Sequence, residues 1–431
     1  MLRPEEREEI RSLIEREVIP AIGCTEPIAV ALCVARATEL LGNRPTKIKA
    51  SLSSNIIKNA MGVGIPGTSM TGLPIAMALG AVAGRSEYEL EVLREVNDDS
   101  VRLADRFIAS GGVSIELKAD APDKLYIEIT ATDESGTEAT AVISGGHTNF
   151  TYLAKGDEMI LDRRGSDGTT ENDDDCSLSL HKVYEYAHTT PVEELRFIME
   201  SARLNQAAAD EAMRRQYGHS LGQLMLSDRA REMMGDTTFS HILAYTSGAC
   251  DARMGGAMVA VMSNSGSGNQ GISATMPVLI YARERNATDE MLIRALALSH
   301  LTVIYIKQKL GRLSALCGCV VAATGSSCGI TYLMGGDFRQ ICFAVKNMVA
   351  NLTGMICDGA KPSCALKVTS GVSTAVYSAM MAMAGTSVTE MEGIVDSDVD
   401  VTIDNLTRIG LKAMDHADAE ILDIMLGKQN K

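Results

Sequence analysis

Tryptophan is absent from this 431-residue chain, phenylalanine occurs six times, and aromatic residues make up only 4 % of it. A core built around large rings is therefore excluded. The interior has to be packed from small and aliphatic side chains and 24 Met, with 38 Gly allowing helices to approach closely. Basic charge is also in deficit: 40 Lys and Arg against 55 Asp and Glu leave a net charge of −15. That balance argues against nucleic acid or an anionic membrane as partner. The opening "MLRPEEREEIRSLIE" reads as a charged helix start and not as a secretory leader, so no leader and a cytoplasmic location are the expectation.

Long apolar runs are missing in a subtler way. Residues 59–84, 255–282, 313–336 and 368–389 carry no charge, which is the length of a membrane span. Each is diluted by Gly, Ser, Thr or Asn, so all four read as buried helices joined by Gly-rich loops. The length suggests two or three domains.

Residues 5–42 show helical periodicity broken at "IPAIGCTEP". "TKIKASLSS", "GVSIELKA", "KLYIEITAT" and "EATAVISGG" alternate as strands, with one helix, "ELEVLREVNDDSVRLADRFIAS", after the first. The polar stretch 155–178 reads as a linker or exposed loop. Beyond it nearly everything reads helical, and "TPVEELRFIMESARL" opens as a capping box with Thr190 as cap, Pro191 and Glu193. The expected fold is α+β in two domains. Residues 1–178 form an N-terminal α/β domain with a small sheet, and 179–431 form a C-terminal all-helical domain with Gly-rich loops.

Two stretches match G-x-G-x-x-G, "GVGIPG" (62–67) and "GSGNQG" (266–271). Neither shows the preceding strand that a dinucleotide fold needs, so that function is excluded. "SNSGSGNQG" (263–271) can instead aim backbone N–H and hydroxyl donors at a small anion such as a carboxylate. In "AIGCTEP", Pro27 disfavours helix at Glu26, which puts Cys24 at a loop-to-helix junction where a thiolate is stabilised.

Ten cysteines are present, six of them (317, 319, 328, 342, 357, 364) within 48 residues, with no C-x2-C pair and no His in that span. Zinc ribbons and ferredoxin runs fail on this spacing, while one cluster held by scattered thiols remains open. In "MICDGAKPSCALK", Gly359 and Pro362 make a loop that carries Cys357 and Cys364. Cys33 and Cys342 fit ordinary buried positions.

With "PAIGCTEPIAVAL", "GVGIPGTSMTGLPIA", "SGGHTN", "CDARMGG", "MSNSGSGNQG", "LSHL", "RLSALC" and "GMICDGAKPSCALKV" in this order, the chain resembles the UPF0597 family, the iron–sulfur L-cysteine desulfidases related to the α chain of bacterial iron–sulfur L-serine dehydratase. The resemblance implies a [4Fe-4S] cluster in the helical domain and conversion of L-cysteine and water to pyruvate, ammonia and sulfide. It implies Cys317, Cys357 and Cys364 as cluster ligands. "GSSCGI" resembles a ligand-bearing segment of the serine dehydratases, which makes Cys328 the alternative to Cys317.

Three thiolates on four irons leave one iron open as a Lewis acid for the substrate sulfur. Candidate bases are Cys24, His147 and His300, with Glu26 behind them. The substrate carboxylate is expected at Arg253, Ser263, Asn264, Ser265, Gly266, Gly268 and Asn269. An L-serine or L-threonine dehydratase, a carbon–oxygen lyase, is the alternative function, and a non-catalytic iron–sulfur sensor the second. A homo-oligomer, a dimer, is expected, with a free amino acid as the small-molecule partner.

Overall fold

The computed structural model describes residues 2–164, 176–311 and 314–429. Five helices lie in the first part: α1 (Pro4–Glu17), α2 (Thr25–Leu41), α3 (Ser54–Ala60), α4 (Leu73–Val82) and α5 (Asp98–Ala109). The strands are β1 (Pro20–Ile22), β2 (Lys47–Leu52), β3 (Val113–Leu117), β4 (Tyr126–Thr132), β5 (Glu138–Ser144), β6 (Phe150–Lys155), β7 (Glu158–Asp162) and β8 (Ala260–Met262).

The remaining helices are α6 (Leu180–Thr189), α7 (Val192–Leu195), α8 (Met199–Arg214), α9 (Leu221–Met225), α10 (Asp228–Met234), α11 (Thr238–Met254) and α12 (Gly268–Glu284). They are followed by α13 (Asp289–Leu310), α14 (Gly318–Leu333), α15 (Phe338–Leu352), α16 (Cys364–Met383), α17 (Val399–Arg408) and α18 (Asp415–Gln429). No described helix is long and apolar enough to cross a membrane.

The architecture is α+β. A six-stranded sheet has the order β3-β2-β4-β5-β6-β7, with β2 and β3 parallel and every other pair antiparallel. Helix α2 is buried on nearly all sides. It packs between this sheet and α4, and the two helices come so close that a Cβ at Gly80 would lie 2.5 Å from the Ala31 carbonyl. Helix α14 plays the same central part among the later helices. Gly325 and Gly329, one turn apart, face α13, where a methyl on Gly325 would meet the Ser299 carbonyl at 2.4 Å. Small residues thus replace the missing rings as the means of close packing.

Four expectations are corrected. Residues 155–178 are not all linker, because β7 pairs with β6 across a two-residue turn; residues 165–175 lie outside the described part. The later half is not all-helical, because β8 pairs antiparallel with β1 and sews the N-terminal segment to it. Thr190 does not cap a helix: it ends α6, its hydroxyl is buried without a partner, and its carbonyl accepts from Arg294 (2.9 Å). The helix expected over "ELEVLREVNDDSVRLADRFIAS" starts only at Asp98, where Asn97 and Ser100 form a reciprocal cap. A tight 3₁₀ turn occupies Ser86–Glu91.

Candidate functional site

Four helices start at one place. Cys24 is the N-cap of α2, Ser267 of α12 and Cys317 of α14, while Cys364 is the first residue of α16. Each start leaves unpaired N–H groups and a partial positive charge, which favours thiolates and other anions. Backbone pairing fixes two of the thiols. Cys317 N–H donates to the Met355 carbonyl (2.9 Å) and Cys357 N–H to the Ala315 carbonyl (2.7 Å), a one-step antiparallel bridge.

Gly359 turns the chain from Cys357 towards Cys364 with φ +90°. A side chain there would meet the Lys58 carbonyl at 2.2 Å, so only glycine lets the cysteine loop lie on α3. Gln270, in the first turn of α12, lies against Gly318, 3.0 Å from where its Cβ would be, and its Oε1 is buried without a partner.

Charge around the thiols is arranged to offset theirs. Asp358 sits between Lys361 and Lys367; burial opposes its ionisation, but the two ammonium groups hold it down at about 2. The Lys367 ammonium also donates to the Ile356 carbonyl (2.8 Å). Lys58 lies on the α3 side and favours the thiolate of Cys357, against burial, which pushes that thiol up to about 11. A hydrogen bond from Cys319 draws the Cys317 thiol down, aided by Lys367. Burial pushes Cys364 and Cys250 up, and Cys250 feels the charges of both Cys364 and Cys317.

The other half of the site comes from the N-terminal segment. Arg253, 2 % exposed, donates Nε–H to the Gly23 carbonyl (3.0 Å), and its Nη2 is buried without a partner. The guanidinium lies against the start of α12, where a Cβ on Gly268 would come 2.2 Å from Nε. Cys24 Sγ donates to Glu26 Oε2 (3.0 Å), and the Thr25 hydroxyl reaches both that oxygen (3.0 Å) and the Gly266 carbonyl (2.8 Å). Burial, then the Glu26 charge, pushes the Cys24 thiol well up.

Most side chains of 263–269 serve the loop itself. Ser263 donates to the Ile19 carbonyl (2.7 Å), Ser265 to Asn264 Oδ1 (2.8 Å), and Asn269 accepts from Cys250 (3.5 Å). What remains for a ligand is the amide edge at the start of α12 beside Arg253. "GSGNQG" does follow a strand and open a helix, but that strand belongs to an antiparallel two-stranded ribbon, which leaves the dinucleotide exclusion in place.

His300 is fully buried. Asn264 Nδ2 donates to its Nδ1 (3.0 Å), and its Nε2 pairs with the Thr275 hydroxyl (3.0 Å). Burial pushes it down to about 3, so it is a neutral prop under the 263–267 loop. His147 is buried in the β5–β6 turn, at the sheet end from which α3 departs. Cys328 lies eleven residues into α14, roughly 16 Å along the axis from Cys317, with Thr302 and Cys342 as neighbours. Lys58, Cys250 and Gln270 escaped the sequence reading, and Cys319 was counted among the clustered thiols without a role.

No three His, Cys, Asp or Glu among the described residues are close enough to hold a single metal ion. Thiolates on separate corners of a cubane stand farther apart than ligands of one ion, and the soft, lysine-flanked thiol set at helix starts suits such a cluster. A surface depression of about 550 Å³ beside Arg36, Glu39 and Arg85 has no thiol in its wall and is remote from this chemistry.

A family model described as "Serine dehydratase alpha chain" matches residues 87–423, which includes every thiol of the cysteine group but not Cys24 or Glu26. A "UPF0597 protein" of Bacteroides fragilis is 62 % identical over 98 % of this chain and 99 % of its own length. Those of Phocaeicola vulgatus and Oleidesulfovibrio alaskensis are 61 % and 44 % identical, each over 100 % of both chains. The chain thus belongs to the UPF0597 family and carries a serine dehydratase alpha-chain domain over residues 87–423.

Proposed function

We propose that the protein is an iron–sulfur lyase that eliminates sulfide from L-cysteine, giving pyruvate, ammonia and sulfide with uptake of one water. The observation that carries this reading is the meeting of Cys317 and Cys357 on one backbone bridge with Cys364 at the adjoining helix start, opposite Cys24 and Arg253. Cys317, Cys357 and Cys364 would hold a [4Fe-4S] cluster. When bound, it supplies an open, soft Lewis-acidic iron to the leaving sulfur.

The chain's own residues do the rest. Arg253 and the first amides of α12 bind the carboxylate. Cys24 is the favoured base for the Cα proton, because its thiol donates to the Glu26 carboxylate (3.0 Å), which can take its proton, and both nitrogens of His300 are taken. His147 is the remaining alternative. The closed, buried site keeps water away until the aminoacrylate forms, after which hydrolysis releases ammonia.

The protein is then a cytoplasmic enzyme of free amino-acid catabolism, a homo-oligomer without nucleic-acid or membrane partner, and its chain divides near 178. A second reading, elimination of water from L-serine or L-threonine, draws on the serine dehydratase match. Anaerobic reconstitution with iron and sulfide, followed by sulfide and pyruvate assays on L-cysteine and L-serine, decides between them. Pyruvate from serine alone selects the dehydratase, and pyruvate from neither selects an iron–sulfur sensor.

A further inference from the structure

Two opposite charges are buried in this site without being paired. The Glu26 carboxylate is 8 % exposed and the Arg253 guanidinium 2 %. Among the described residues no cation lies within ion-pair distance of Glu26, and no acid within that distance of Arg253. Glu26 receives hydrogen bonds on Oε2 only, from a thiol and from a hydroxyl that also faces the Gly266 carbonyl. Arg253 spends Nε on Gly23 and leaves Nη2 empty-handed. Burying a charge without a partner is costly, and a fold keeps such a pair where a ligand completes it.

Both charges are tied to the same stretch. Arg253 holds the carbonyl of Gly23 and Glu26 stands three residues on, so the backbone points that carry the two charges lie within roughly 10 Å of each other along the chain. The Cys24 thiol is bonded to Glu26 and belongs to the residue next to Gly23, whose carbonyl Arg253 holds. We propose that Glu26 and Arg253 are the two ends of a subsite for a zwitterionic α-amino acid. The Glu26 carboxylate receives the α-ammonium, Arg253 Nη2 receives the α-carboxylate, and the Cys24 thiol sits across the Cα between them. This inference rests on the site proposed above and adds Glu26 as its specificity-determining residue. Hydroxy acids and amines, which carry only one of the two charges, are rejected because one buried charge would stay unpaired.

The binding arm of the test needs no leaving group and no cluster. Binding of L-alanine, propionate and ethylamine to apo protein is measured by thermal shift, and their competition with L-cysteine is measured on reconstituted protein. L-Alanine should bind roughly 10- to 100-fold more tightly than either partial analogue, the range for a hydrogen bond to a charged group. Glu26→Gln should drop L-alanine to the level of propionate and leave propionate unchanged, while Arg253→Gln should weaken both. Iron content and circular dichroism show whether each variant is folded. Equal binding of L-alanine and propionate by the wild type overturns the proposal even if Glu26→Gln does not fold. So does an equal loss of both ligands in a folded Glu26→Gln. Failure of the lyase reading looks different: discrimination for L-alanine would persist with no pyruvate from any substrate.

Discussion

The ammonium of Lys58 meets the carboxylate of Asp418 at 2.5 Å, across 360 residues of chain. Lys58 is 2 % exposed and Asp418 12 %. The pair fastens α18 to α3, the helix on which the cysteine loop rests through Gly359. Breaking a buried pair by removing one partner costs about 3–5 kcal/mol, whereas removing both costs far less. Asp418→Asn and Lys58→Met should each fall near the lower end of that range in urea unfolding, given the residual exposure of Asp418. The double variant should recover a large part of the loss. Additive losses would mean that the pair is not coupled.

The thiols divide into those that share the site and those that do not. Cys317→Ser, Cys357→Ser and Cys364→Ser replace soft anionic donors by hard neutral ones and should each lose the brown absorbance and turnover together. Cys328→Ser, set deep in α14, should keep both at a cost of about 1–3 kcal/mol in stability. Cys319→Ser should keep the colour as well, because a hydroxyl can still donate to Cys317. Bleaching by Cys328→Ser with Cys317→Ser still brown would transfer the third ligand to Cys328.

Cys24→Ser separates base from ligand. With Cys24 bonded to Glu26 and not part of the 317–357 bridge, the variant should reconstitute to full iron content and still lose turnover by about 100-fold or more, the scale of a positioned general base. Retained turnover would move the role of base to His147.

His300 gives a pH signature. Its ring is neutral in the folded protein, pushed down to about 3 by burial, while in the unfolded chain it titrates near about 6.5. Below that value the unfolded state binds the proton and the native state does not, so this group favours unfolding progressively from pH 6.5 down to about 3. Above it the charge contributes nothing. Urea midpoints at pH 7.5 and 5 should therefore lie closer together in His300→Gln than in wild type. The variant should lose roughly 1–3 kcal/mol at the higher pH through the disturbed Asn264 and Thr275 contacts. An unchanged pH slope would mean that His300 is not held neutral.

Much of this arrangement could be read from local pattern. β2 to β5 alternate visibly, and the cysteine loop announces itself through Gly359 and Pro362. The chain break at "IPAIGCTEP" placed Cys24 correctly at a helix start. β7 was missed because its neighbours are polar on both sides and pairing with β6 alone makes it a strand. Thr190 has the sequence of a cap, yet packing against Arg294 takes its carbonyl and the helix begins elsewhere. His300 reads as a candidate base because sequence does not distinguish a hydrogen-bonded core imidazole from a reactive one. Lys58 owes its importance to Asp418, 360 residues away, and Glu26 owes its own to the lack of a cation opposite it among the described residues, neither of which local sequence shows.

Gly359 and Gly111 form a controlled pair for the last prediction. Both have positive φ, +90° and +75°. A methyl at Gly111 meets nothing within 4 Å, whereas at Gly359 it would strike the Lys58 carbonyl at 2.2 Å. Gly111→Ala should cost only the backbone strain, about 1–2 kcal/mol, and leave iron uptake untouched. Gly359→Ala adds a clash with backbone that cannot rotate away, worth about 1–3 kcal/mol more. The cheapest relief is to lift the loop off α3, which moves Cys357 and Cys364 away from Cys317. Iron bound per chain after anaerobic reconstitution should then fall in Gly359→Ala while Gly111→Ala matches wild type. Full iron uptake by a folded Gly359→Ala would show that the seating of this loop on Lys58 does not set the geometry of the thiols.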